Sequence, residues 1–190
     1  MSEPVIIEKS GETAIIKFNR PDIKNPLSVG TLVRLERVFT LLNSDTTVEK
    51  IIFTGSGDTF ASGANLNEVA ALTIETAREF GLRGQNLMQK IYRAEKLTVA
   101  AVDGFCMGGA LDLALSCKIR IASPRSVFAH PGASLGIITG WSGTQILPRL
   151  VGKKKAFEIL LTAKKVLADE ALEIGLIDKI SANPLQSAIA

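Results

Sequence analysis

The sequence has little with which to build a metal or redox centre. It contains one histidine, His130, and two cysteines, Cys106 and Cys117. Neither cysteine has a C-x-x-C partner or metal-ligand spacing, so no metal site is expected, and both read as buried thiols of a reducing compartment. An excess of one charge is also missing. The formal net charge is +3, which is not the balance of a nucleic-acid-binding protein. The basic clusters Lys153-Lys154-Lys155 and Lys164-Lys165 read as solvated helix faces, with a phosphate-rich ligand such as CoA as the alternative. No apolar run reaches membrane-spanning length, and Met1-Ser2-Glu3-Pro4 does not begin a signal peptide. A cytoplasmic protein with no nucleic-acid or membrane partner follows by elimination. There is no exact repeat and no low-complexity linker. Apolar residues are plentiful, 46% of 190, so residues 1–190 are expected to bury one core as a single domain.

The pattern of elements alternates. Residues 5–8 and 13–18 read as strands around a turn at Ser10-Gly11-Glu12. Leu32, Leu35, Val38, Phe39 and Leu42 recur at helical spacing over residues 29–42, with Ser28 as N-cap. Residues 50–54 and 98–102 are apolar enough for buried strands, and residues 75–94 form a long helix with Phe80, Leu87, Met88 and Ile91 on one face. Residues 110–115 form a helix that is apolar almost all round and therefore central. Strands at 118–122, 127–129 and 176–180 and helices at 153–161 and 169–174 complete the chain, with a glycine-rich loop at 132–143. Such alternation implies an α/β fold with largely parallel strands and crossover helices, built from two strands and a helix repeated with variation.

Three loops that follow strands are dense in glycine. Gly55-Ser56-Gly57 fails the dinucleotide fingerprint, because its third glycine would fall at Phe60. The loop before Lys153 is not a P-loop. The pair Gly108-Gly109 follows a strand and opens a helix, where unpaired N–H groups and the helix dipole favour an anion. One such N–H joined by a second from another loop makes an oxyanion hole, in which each donor is worth about 3 kcal/mol in the transition state.

These residues lie in segments that resemble the enoyl-CoA hydratase/isomerase (crotonase) superfamily. Asn19-Arg20-Pro21, the stretch from Thr54-Gly55-Ser56-Gly57 to Asn65-Leu66, and Ala101-Val102-Asp103-Gly104 through Gly108-Gly109-Ala110 are similar to its early loops. Leu135-Gly136-Ile137, Gly143-Thr144-Gln145, Leu147-Pro148-Arg149-Leu150-Val151-Gly152 and Gly175-Leu176-Ile177-Asp178 resemble its later ones, in the same order. The resemblance implies a crotonase-type fold, a spiral of ββα units, and an acyl-CoA thioester as partner, with coenzyme A part of the substrate and no permanently bound cofactor. It implies that the N–H groups of Ala64 and Gly109 hold the thioester oxygen, with Gly108 beside them. It places the adenine and pantetheine channel along residues 61–66, including Ala61, Gly63 and Leu66, and Lys24 near the CoA phosphates. Gly140 falls where hydratases position water. A homotrimer or dimer of trimers is expected.

The sequence departs from the family pattern in three places. The first catalytic glutamate of hydratases is Asp112 here, and the second is Gly132, which has no side chain. Asp112 is either a single acid/base or a first-turn aspartate stabilised by the helix dipole. Burial would require it to find a partner. His130, two residues before Gly132, is a candidate for the missing proton carrier, since its ordinary pKa is about 6.5. It is equally a structural histidine. Trp141 and Phe105 read as packing or as walls of an acyl pocket. Family members continue into further C-terminal helices that build the trimer, and these are expected to be largely absent here. The expected function is that of an enoyl-CoA hydratase/isomerase. The alternatives are a non-catalytic acyl-CoA-binding or assembly protein, or a decarboxylase or thioester hydrolase on the same fold.

Overall fold

A computed structural model describes residues 3–190. Met1 and Ser2, within the stretch read above for a signal peptide, lie outside the described residues. Strands β1 (Val5–Ser10) and β2 (Thr13–Phe18) form an antiparallel hairpin. A 3-10 turn at Pro21–Ile23 leads to β3 (Pro26–Leu27) and α1 (Val29–Ser44). The Ser28 hydroxyl accepts the Thr31 N–H at 3.2 Å, as the N-cap reading requires. The predicted stripe from Leu32 to Leu42 is the buried face of α1.

Three ββα units follow. The first is β4 (Lys50–Gly55) and β5 (Thr59–Ala61), then a two-residue strand β6 (Gly63–Ala64), a short α2 (Leu66–Ala70) and α3 (Ile74–Tyr92). The second is β7 (Leu97–Val102), β8 (Phe105–Met107) and α4 (Gly109–Ser116). The third is β9 (Ile119–Ala122), β10 (Val127–Ala129), a 3-10 turn at Pro131–Leu135 and α5 (Gly143–Thr162). The chain closes with β11 (Val166–Leu167), α6 (Ala168–Glu173), β12 (Lys179–Ile180) and α7 (Pro184–Ile189).

The first strand of each unit enters a six-stranded sheet of order β1-β2-β4-β7-β9-β12, parallel from β2 onward. The second strand of each enters a four-stranded sheet of order β11-β10-β8-β5. The chain therefore climbs two sheets at once, as the predicted repeat requires. The principal core lies among both sheets and α1, α3, α4 and α5, and α4 is buried from Ala110 to Ser116. On the far face of the large sheet Ile15, Ile52, Val99, Ala101 and Ile121 pack under Ala188 of α7. Lys50 Nζ donates to the carbonyls of Ala188 and Ile189 at 2.8 and 2.9 Å, which satisfies the last turn of that helix.

Some expectations need correction. The strand read over 176–180 reduces to Lys179–Ile180, because Leu176 and Ile177 bond back to the Ala171 carbonyl and drop into the core. The loop at 132–143 contains a 3-10 turn. The helix read from 153 begins a decade earlier, at Gly143, and is broken at Gly152, where φ is 78°. Among the described residues no helix is long and apolar enough to cross a membrane.

Candidate active site

A cavity of about 300 Å³ lies between α2, α3, the start of α4 and the segment from His130 to Trp141. Leu66, Val69, Phe80, Ile137, Ile138 and Trp141 make it mostly apolar. Its polar side chains are Ser62, Asp112, His130 and Thr139.

Backbone geometry shapes one wall. Gly108 donates its N–H to the Ala129 carbonyl at 2.8 Å and turns the chain at φ 52° into α4. Gly109 is the first residue of that helix, so its N–H has no acceptor within the helix. Gly63, at φ 91°, lies flat against this turn: a Cβ there would sit 2.5 Å from the Met107 carbonyl oxygen and 3.1 Å from the Gly109 nitrogen. The close approach, open only to glycine, brings Ala64 and Gly109 together in the cavity wall.

Asp112 stands one turn further along α4 and is 0% exposed. Its carboxylate does not turn back to cap its own helix. Oδ2 accepts the hydroxyl of Thr139 and, at 3.3 Å, the N–H of Ser142. Oδ1 has no hydrogen-bond partner. Burial pushes the carboxyl up to about 6, against the opposing pull of the Thr139 hydroxyl and the N–H groups of Ser142, Trp141 and Gly143. His130 lies on the cavity wall with neither ring nitrogen bonded. Its Nε2 is 3.5 Å from Asp112 Oδ1, beyond a hydrogen bond, and burial lowers its pKa to about 4. At neutral pH the two therefore stand side by side as a carboxylate and an uncharged imidazole, and not as an ion pair. The Cα of Gly143 faces both groups, and any side chain there would collide with Asp112 Oδ1 and His130 Nε2.

Of the residues singled out in the sequence, Ala64, Leu66, Gly108, Gly109, Asp112, His130 and Gly140 line the cavity. Ala61 does not: it is a fully buried residue of β5, paired with β8. Gly63 lies behind the wall and shapes it from there. Lys24 stands outside the cavity, with its ammonium on both carboxylate oxygens of Asp58 at 2.9 Å. Phe105 is 42% exposed and forms no part of the wall, whereas Trp141 does. Thr139 was not anticipated, because an isolated threonine in a glycine-rich loop carries no periodic signal. It holds the one buried carboxylate in the cavity.

Gly132 is more than a missing side chain. The Ile137 N–H donates to its carbonyl at 3.0 Å, and a Cβ on Gly132 would lie 2.7 Å from the Ile137 carbonyl oxygen. The turn is closed at the position to which the family resemblance assigns a second glutamate. Gly132→Ala is expected to lose about 1–3 kcal/mol of stability as an overpacked position, measured as a lower urea midpoint. An unchanged midpoint would show that the turn opens easily.

The buried pair has opposite linkages. Asp112 binds a proton more tightly folded than unfolded, so its contribution to stability falls as pH rises from about 4 toward 6. His130 binds one less tightly when folded, so its contribution rises from about 4 to 6.5. The two offset each other in the wild type. In Asp112→Asn only the histidine term remains, so the urea midpoint of that variant should climb between pH 4 and 6.5 more steeply than that of the wild type.

The sequence profile of the enoyl-CoA hydratase/isomerase family matches residues 8–187. A crotonyl-CoA hydratase of Syntrophomonas wolfei is 43% identical over 179 residues, 94% of this chain and 69% of that protein. A short-chain-enoyl-CoA hydratase of Clostridium acetobutylicum is 40% identical over 177 residues, 93% of this chain and 68% of that protein. Among solved structures, an enoyl-CoA hydratase from Bacillus anthracis superposes with a TM-score of 0.94 at 30% identity, covering 98% of this chain and 74% of that one. One from Thermoplasma volcanium gives 0.93 at 34%, covering 98% and 75%. The fold expected from the sequence is the fold of these enzymes.

Proposed function

The chain belongs to the enoyl-CoA hydratase/isomerase family, and from that premise we propose that it adds water to a 2-enoyl-CoA through an enolate held by the N–H groups of Ala64 and Gly109, with Asp112 moving the proton. The observation that carries this is the position of the one carboxylate in the cavity wall. It sits a turn beyond the unpaired amide of Gly109, with Oδ1 free and Oδ2 tied to Thr139 and Ser142.

The chemistry follows from those groups. Water attacks the β-carbon while the carboxylate of Asp112 takes one of its protons. The C–O bond forms, and the Cα–Cβ π electrons move onto the thioester oxygen. The two backbone donors are worth most when that oxygen carries charge, which lowers the barrier more than it tightens binding of the ground state. Asp112 then returns the proton to the α-carbon, leaving a 3-hydroxyacyl thioester and a regenerated carboxylate. A carboxyl titrating near 6 suits a group that must both accept and donate close to neutrality. His130, uncharged beside it, can relay a proton without adding a charge to the pocket. CoA enters as part of the substrate, with residues 62–66 along its path and Lys24 available only if it leaves Asp58.

A second reading, migration of a double bond between 3-enoyl and 2-enoyl thioesters, is favoured by the closure of the turn at Gly132. One carboxylate suffices for it, since a single proton leaves one carbon and joins another. Chromatographic separation followed by mass spectrometry, on a 2-enoyl-CoA and a 3-enoyl-CoA incubated in H₂O and in D₂O, separates the two. Double-bond migration leaves the mass in H₂O unchanged and shows as a shifted retention time with deuterium uptake in D₂O. Addition of 18 mass units to the 2-enoyl substrate is expected. Conversion of the 3-enoyl substrate alone would move the assignment to isomerisation, and no change in either would remove both.

Assembly as a homotrimer or dimer of trimers is part of the proposal. Its support is the exposure of the large apolar side chains Phe157, Leu161, Leu167 and Leu172 on α5, β11 and α6, each at least 42% exposed. Sedimentation at micromolar concentration tests it, and a monomer would count against it.

A further inference from the structure

The cavity has a second compartment behind it. A polar groove of about 560 Å³ between α3 and α5 is lined by Gln89, Arg93, Thr144 and Arg149. Gly140 and Trp141 belong to both walls. The indole of Trp141 is 5% exposed and stands between the two spaces. It fills a gap that two glycines leave open. A Cβ on Gly84 of α3 would overlap the pyrrole side of the ring, and a Cβ on Gly109 of α4 would overlap the benzene side. Phe80 braces it from the cavity, with ring centroids 5.6 Å apart at 45°. Because Gly109 carries the amide proposed to meet the thioester oxygen, the indole flanks the position proposed for the thioester carbonyl.

We propose that Trp141 sets the acyl-chain length this protein accepts, closing the apolar cavity to all but short chains. The inference rests on the acyl-CoA reading above. Two physical effects act together. The ring occupies the space a longer chain would need, and the close packing against Gly84 and Gly109 leaves it no room to swing aside within the helix pair. Past the ring a hydrocarbon tail would meet Gln89, Arg93 and Arg149, and covering those polar groups with hydrocarbon costs free energy. Trp141 thus acts on specificity and takes no proton.

Calorimetric titration with saturated acyl-CoA thioesters of four, six, eight and ten carbons tests this without needing turnover. Wild-type affinity is expected to fall at least tenfold between four and ten carbons. Trp141→Ala should shift the ten-to-four ratio at least tenfold toward the longer chain, and Trp141→Phe should lie between the two. A ratio is insensitive to the fraction of protein folded, and if the alanine variant does not fold, the wild-type series and the phenylalanine variant still decide. Wild-type protein binding all four equally, or a ratio unmoved by either variant, would overturn the role of Trp141. Absence of binding to every thioester would instead remove the acyl-CoA reading on which it stands.

Discussion

Asp112→Asn should lower kcat on an enoyl-CoA by about 10²–10⁴-fold, the range for loss of a positioned acid/base, while acyl-CoA affinity changes by no more than a few-fold. The amide has the size and shape of the carboxylate. Its oxygen can still accept from Thr139 and Ser142, so the loop from Thr139 to Gly143 keeps its anchor. It cannot take a proton at pH 7. The substitution also removes a charge from a site that is 0% exposed, so the folded state should not be weakened at neutral pH. A chemical loss without a stability loss is therefore expected. Steady-state kinetics with a parallel binding titration and urea denaturation distinguish this from a structural role, in which affinity and stability would fall together with turnover. If kcat stays within a factor of three, Asp112 is not the proton carrier.

The second large effect is expected at a residue with no side chain. Gly63→Ala should lower kcat/KM by about 10²–10³-fold, the cost of losing one oxyanion donor. Alanine is strained at φ 91°, and its methyl would press on the Met107 carbonyl oxygen at 2.5 Å and on the Gly109 nitrogen at 3.1 Å. Both neighbours are backbone, so the strain is relieved by moving Ala64 and Gly109 apart. A stability loss of about 1–3 kcal/mol should accompany it. Gly30→Ala on the exposed face of α1, where a Cβ meets only Ser28 Oγ at 3.9 Å, should instead gain about 0.5–1 kcal/mol. Activity of Gly63→Ala near the wild-type level would show that the two amides do not act on the reacting oxygen.

Much of the fold is legible in local sequence patterns. The stripe from Leu32 to Leu42 and the Ser28 cap are local patterns, and local patterns survive folding. Gly108-Gly109 was legible because a glycine pair between a strand and a helix has few other uses. Strands β3, β5, β6, β8 and β11 were not separable, being two or three residues long and too short for alternation to register. The first half of α5 was hidden by Gly143, Pro148 and Gly152, which weaken a helical pattern without preventing it here. α7 carried its signal in Asn183 and Pro184, a cap and an N1 proline, but is too short to show periodicity. Asp112 and His130 are far apart in sequence. Their meeting is a product of the spiral, which stacks the start of α4 beside the end of β10. The tie from Thr139 to Asp112 and the wedge of Trp141 between Gly84 and Gly109 are tertiary facts of the same kind, invisible to spacing.

The most direct test of the enolate held by Ala64 and Gly109 needs no double bond in the substrate. Butanoyl-CoA is incubated with the protein in D₂O and its α-carbon is followed by mass spectrometry and proton NMR. Exchange of an α-proton for deuterium is expected with the wild type, greatly slowed in Asp112→Asn and in Gly63→Ala. Butanoyl-CoA that binds the wild type and yet keeps all its α-protons would contradict it.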